Sequence, residues 1–141
     1  EVFQFAKSNS ITTIFNPAPA RSLEREFLEH ISWLIPNENE FELISGMQPN
    51  EENFLNFNKE IPCNLIVTLG EKGAVFVEEN ETLYFDAPTV DAIDTTGAGD
   101  SFIGTFAYEL SESNSPEVCI KKAVDRASQS VTKKGTQSSY S

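Results

Sequence analysis

The chain carries two cysteines, one histidine, one methionine and one tryptophan in 141 residues. Cys63 and Cys119 are too few for a disulfide framework, and neither lies in a Cys-x-x-Cys pattern. A reduced, cytoplasmic setting is therefore the expectation. With His30 alone, a histidine-based zinc site is excluded and a Ser-His-Asp triad has no local support. No apolar run approaches the about 20 residues that a membrane helix needs. No signal peptide is visible. The chain does start at Glu1 and opens in mid-pattern on Val2, Phe3, Phe5 and Ala6, as if cut from something longer, so an upstream targeting segment stays open. Basic residues are also sparse: 10 against 22 acidic ones, a net charge of −12. That balance argues against nonspecific nucleic-acid binding and against an anionic membrane surface. Half of the basic residues, Lys121, Lys122, Arg126, Lys133 and Lys134, fall in one short stretch. This fits a cation-rich helix end better than a dedicated phosphate contact. No Gly-x-x-x-x-Gly-Lys-Ser/Thr loop occurs, which weighs against a Walker-type nucleotidase.

What is present reads as one domain of ordinary composition, 39% hydrophobic with 11 Phe. Residues 2–8 read as the tail of a helix. Residues 12–15 form a short strand stopped by Asn16-Pro17. Ser22 opens a helix with Leu23, Phe27, Leu28 and Ile31 on one side. Residues 33–35 form a second strand. Asn37 starts a helix that runs to Gly46, and Pro49 opens another. Leu65-Ile66-Val67 is a continuous apolar run, as in a strand buried on both faces. Residues 74–77 and 83–85 pair as a hairpin. A helix with Phe102, Ile103, Phe106, Ala107 and Leu110 on one stripe follows a glycine loop, and Ser115-Pro116 opens the last helix, which ends near Lys133-Lys134-Gly135. Alternating strands and helices indicate an α/β fold with a mostly parallel sheet. Ligands in such folds sit at the carboxyl ends of strands. Segments 36–37, 68–70 and 94–100 fall there.

The loop Asp94-Thr95-Thr96-Gly97-Ala98-Gly99-Asp100 is the most informative segment. Its glycines let the backbone turn tightly and approach a ligand. The first N–H groups of the following helix and the helix dipole then make a hole for an anion, above all a phosphate. Asp100 places a carboxylate at the rim of that hole. The pairing makes sense where an alcohol must lose its proton while attacking a phosphoryl group. The simpler alternative is that Asp is common in any first helical turn and Gly in any loop.

Four segments in fixed order carry a resemblance: Asn16-Pro17-Ala18-Pro19-Ala20, Asn37-Glu38-Asn39-Glu40, Thr68-Leu69-Gly70-Glu71-Lys72-Gly73 and 94–100. Together they resemble the ribokinase-like, PfkB-type family of sugar and nucleoside kinases, over nearly all of this chain but only about the C-terminal half of the family's enzyme. The resemblance implies a three-layer α/β/α, Rossmann-like core, present here as a partial domain without the N-terminal half and its β lid. It implies that Asp100 is the catalytic base and that Gly97, Ala98 and Gly99 form the anion hole. It further implies that Asn37, Thr68, Leu69, Gly70, Glu71, Lys72 and Gly73, with Gly99 and Asp100, bind ATP. Glu40 would orient magnesium through water. Asn37 with Glu40 is equally a capping box that needs no ligand. A potassium ion would lie against Asp94, Thr96, Ser130, Lys133, Gly135 and Ser139, mostly through backbone carbonyls. Val124 and Asp125 depart from the family's adenine-contacting pattern, so no residue there is assigned.

Within that resemblance the segment 131–139, taken with Asn16–Ala20, is similar to the ribose-phosphorylating members, which implies D-ribose as the acceptor, phosphorylated on its 5-hydroxyl to D-ribose 5-phosphate; the residues themselves argue only for an alcohol and a phosphate. A sister kinase for fructose, a nucleoside or another small alcohol is the alternative, and a noncatalytic nucleotide-binding fragment is a further one. Most sugar contacts belong to the absent half, so the isolated chain is expected to be poorly active. The resemblance leaves room for a homodimer of the full-length enzyme.

Overall fold

A computed structural model describes residues 1–19 and 21–132. They fall into two compact units, residues 1–69 with 75–84, and residues 70–74 with the chain from 85 onward.

The first unit holds a sheet whose strand order follows the chain. Strands β1 (Ile14–Phe15), β2 (Trp33–Leu34) and β3 (Asn64–Thr68) are parallel, with Ile14 opposite Trp33 and Leu34 opposite Leu65. Strands β4 (Ala74–Glu78) and β5 (Glu81–Phe85) continue it. Parallel neighbours need a crossover of about a dozen residues or more. The links 69–73 and 79–80 are too short for that, so the sheet is mixed rather than parallel throughout. The chain turns at Glu79, a non-glycine residue at φ 52.

Strand alternation sends Leu65 and Val67 to one face and Ile66 to the other. On the first face they join Leu28, Ile31, Leu34, Phe41, Phe54, Phe57, Val75 and Val77 in one buried cluster. Its aromatic centre is Phe41, on α3 (Glu38–Ser45), whose ring meets Phe54 and Phe57 edge-on at 4.9 and 5.4 Å. Both partners lie on α4 (Glu51–Glu60). Beside it Phe3, Phe15 and Phe27 form a triangle of edge-on rings, which ties α1 (Val2–Ser8) to β1 and to α2 (Arg25–Leu28). On the other face of the sheet Trp33 and Phe76 are in contact.

The helix starts show what local chemistry selects. Helix α3 begins and ends as expected, with Asn37 as N-cap and Gly46 at φ 71 as C-cap. Helix α4 starts two residues later than expected: Asn50 caps it by accepting the Asn53 N–H at 3.0 Å, and Pro49 stays outside. Helix α2 is a single turn capped at Glu24, not a helix from Ser22. Ring packing by Phe27 places its apolar residues without further turns.

The second unit pairs α5 (Ala98–Ser111) with α6 (Pro116–Ser130). Phe102, Phe106, Cys119, Ile120, Ala123 and Val124 are buried. Lys122 Nζ reaches Glu109 Oε2 at 2.7 Å between the two helices, and this contact raises the lysine's pKa. No helix among the described residues is long and apolar enough to cross a membrane.

Phe41 has no exposed surface, and its removal leaves a cavity against two rings. Phe41→Ala is expected to cost roughly 3–5 kcal/mol, read from urea unfolding of the chain. A loss under about 1 kcal/mol would mean that the α3–α4 face is not the packed centre of this unit.

Candidate functional site

In the first unit the site residues gather where the parallel strands end. Thr68 N–H donates to the Pro36 carbonyl at 2.9 Å, and Asn37 forms a parallel bridge with Thr68. Asn37 Oδ1 accepts the Glu40 N–H at 2.9 Å, and Glu40 Oε2 accepts the Asn37 N–H at 2.8 Å. The capping box is therefore formed. It uses one side-chain atom of each residue. Asn37 Nδ2 and Glu40 Oε1 have no hydrogen-bond partner among the described residues. The cap and a ligand-binding role are thus compatible: an amide donor and a carboxylate oxygen remain available. Asn16, just past β1, donates from Nδ2 to the Ile35 carbonyl at 2.9 Å and to Glu40 Oε2 at 3.2 Å. Sequence reading took Asn16 only as part of a motif. Its contact with Glu40 spans 24 positions, and no local pattern announces it. Leu69 packs against the buried cluster.

In the second unit, residues Gly70–Lys72 form one 3₁₀ turn with Glu71 and Lys72 exposed. Gly73 is at φ 104, and a Cβ there would overlap the Phe85 carbonyl oxygen and stand 2.8 Å from the Ala87 nitrogen. Glycine is required at 73 by main-chain packing, whatever binds nearby.

The 94–100 loop is built from its own backbone. Asp94 Oδ1 accepts the Thr96 N–H at 2.9 Å, an Asx turn. The N–H groups of Ile93 and Asp94 both donate to the Val131 carbonyl, at 2.7 and 3.1 Å. The loop is thereby tied to the end of α6, one residue past Ser130. Gly97 takes φ 82 as N-cap of α5, a left-handed conformation that favours glycine. The N–H groups of Gly99 and Asp100 have no partner among the described residues. Asp100 and Gly99 are exposed. A Cβ at Gly99 would meet nothing within 4 Å. Free donors, a helix dipole and a carboxylate therefore share one helical turn, an arrangement that can receive an anion and a proton.

Ser130 is buried and spends its hydroxyl on the Ala127 carbonyl at 2.7 Å. Lys133, Gly135 and Ser139 lie outside the described residues. No group of three or more His, Cys, Asp or Glu able to hold a metal occurs among the described residues. Both cysteines are free thiols, and burial pushes Cys63 up to about 11. His30 is half-buried, with Nδ1 buried and unpartnered among the described residues.

The pfkB family carbohydrate kinase pattern matches residues 1–141. The chain belongs to the pfkB family. A deoxyribokinase of Salmonella typhi is 40% identical over 97% of this chain and 47% of its own length. A ribokinase structure from Thermotoga maritima superposes with a TM-score of 0.87 at 38% identity, covering 98% of this chain and 48% of that one. The Arabidopsis thaliana ribokinase complexed with ribose and ATP gives 0.88 at 28% identity, over 98% and 47%. The chain thus spans about half the length of the pfkB relatives it matches. The likeness covers the α/β fold with its mixed sheet and helices.

Two glycines of this pfkB chain are expected to separate structure from ligand approach. Gly73→Ala should destabilise by about 3 kcal/mol or more, because backbone must move. Gly99→Ala should leave the fold as stable or about 0.4–1 kcal/mol more stable. Thermal unfolding of both variants checks this; equal destabilisation would refute the assigned backbone of the loop.

Proposed function

We propose that this chain is the C-terminal, nucleotide-binding part of an ATP-dependent sugar kinase that transfers the γ-phosphoryl group of ATP to the 5-hydroxyl of D-ribose. The observation that carries the reading is the first turn of α5, where the Gly99 and Asp100 N–H groups, without partners among the described residues, adjoin an exposed Asp100 carboxylate. The Asp100 carboxylate takes the proton of the attacking hydroxyl. Of the expected anion hole Gly97, Ala98 and Gly99, the Ala98 N–H is spent on the Thr95 carbonyl at 3.3 Å, so Gly97 and Ala98 shape the turn while the Gly99 N–H, with that of Asp100, faces the transferring group where charge develops. Asn37 and the run Thr68–Gly73 receive the nucleotide. Glu40 Oε1, without a partner among the described residues, fits a role in orienting a hydrated magnesium ion, which few protein ligands usually hold. Magnesium, when bound, supplies neutralising charge to the phosphates. Potassium beside Asp94, Thr96 and the end of α6 would keep the loop's donors aimed, and the Val131 carbonyl already joins those two segments.

Ribose is favoured by the 131–139 and 16–20 segments and by the solved ribokinases. A deoxyribose acceptor is the second reading, favoured by 40% identity to the Salmonella typhi deoxyribokinase.

The test is ATP-dependent turnover by the longer enzyme that contains this chain, on ribose, deoxyribose, fructose and a nucleoside. Asp100→Asn is expected to lower kcat by about 10²–10⁴-fold with little change in ATP affinity. Retained turnover in that variant would remove Asp100 as base. Preference for another acceptor would keep the chemistry and replace the sugar. ATP binding without any turnover would favour a noncatalytic protein.

A further inference from the structure

We propose that Asn16 is a positioning residue for the Glu40 carboxylate, fixing which of its oxygens faces the magnesium site. This rests on the reading of Glu40 given under the proposed function.

Asn16 Nδ2 has two hydrogens and two acceptors, the Ile35 carbonyl at 2.9 Å and Glu40 Oε2 at 3.2 Å. A backbone carbonyl and an ionised carboxylate can only accept. The opposite amide orientation would set Asn16 Oδ1 against both, so chemistry alone decides which end of the amide points inward. Glu40 Oε2 therefore receives two donors, Asn16 Nδ2 and the Asn37 N–H.

A capping box needs only the second of these. One hydrogen bond leaves a glutamate free to pivot about it, since the side chain has three soft torsions. A second, charge-assisted bond from a different direction removes the pivot. Both bonds fall on the same oxygen, and Oε1 keeps no partner among the described residues. The donors come from the end of β1 and the start of α3, so the carboxylate is held by the sheet as well as by its own helix. Asn16 is anchored in turn by Ile35, the residue after β2. Partners that touch a direct metal ligand commonly change metal affinity about 10–100-fold when removed, and because Glu40 acts through water the lower end of that range applies.

The experiment uses the longer enzyme with Asn16→Ala, Glu40→Gln and the double variant. The magnesium concentration for half-maximal turnover is measured at fixed ATP and sugar, and the Mn²⁺–nucleotide complex is followed by electron paramagnetic resonance. Thermal unfolding without nucleotide tracks the fold. Asn16→Leu has a similar branched shape and no donor, and replaces the alanine variant if that one unfolds. The expected result for Asn16→Ala is a half-saturating magnesium concentration raised about tenfold, an altered Mn²⁺ signal and a kcat at saturating metal near that of the parent. Adding it to Glu40→Gln should change the metal dependence no further. If Glu40→Gln shifts the metal dependence while Asn16→Ala leaves it unchanged, or if the two effects add, the positioning role is wrong and the function stands. If Glu40→Gln itself shifts nothing, the assignment of Glu40 fails and the inference falls with it.

Discussion

One carboxylate oxygen, Glu40 Oε2, is where the first unit is drawn together at the working end of its sheet. The Asn37 main chain and the Asn16 side chain both donate to it. Asn37 also bridges to Thr68, and Asn16 also binds Ile35. Through these contacts the ends of β1, β2 and β3 and the first turn of α3 are registered to one another within hydrogen-bond tolerances. The hydrophobic cluster below supplies most of the stability, but apolar contact is non-directional. It could not by itself set strand ends to the accuracy that the proposed phosphoryl transfer would require. The polar junction does so cheaply, because each donor it uses would otherwise need another partner.

The glycines divide by physical role. Gly97 serves backbone conformation, Gly73 serves close main-chain packing, and Gly99 serves neither within the chain. A glycine in a helix loses stability relative to alanine. Gly104 on the same helix is equally open, so what sets Gly99 apart is its place beside N–H groups that have no partner among the described residues.

Much of this was legible in the sequence wherever a single local rule decided the outcome. Asn37 and Gly46 marked both ends of α3, the run 65–67 marked a doubly buried strand, and the apolar stripe after Gly99 marked α5. Legibility failed where a distant partner decided. Ser22 was expected to open a helix, yet α2 begins at Arg25, and the contacts of Phe27 with Phe3 and Phe15 come from distant positions. Pro49 yielded to Asn50, whose side chain satisfies an N–H that proline cannot help. The contact of Asn16 with Glu40, and of the 93–94 loop with Val131, have no sequence period to betray them. The requirement for glycine at 73 likewise depends on Phe85, twelve positions away.

A chain of net charge −12 is an unpromising host for a nucleotide triphosphate if the long-range field is the criterion. The geometry answers this locally. Charges beyond about 8–10 Å are screened at physiological salt, whereas backbone donors act at contact and carry no counter-charge to repel. The first turn of α5 supplies such donors; of the two acidic residues in the 94–100 loop, Asp94 turns a carboxylate oxygen onto the Thr96 N–H, and Asp100 stands in the first turn itself. A single carboxylate at that point raises the cost of simple anion binding and lowers the cost of taking a proton from an alcohol. An arrangement that only stored phosphate would gain by replacing it with a neutral residue. Its presence beside the donors is the feature that suits the proposed transfer better than storage.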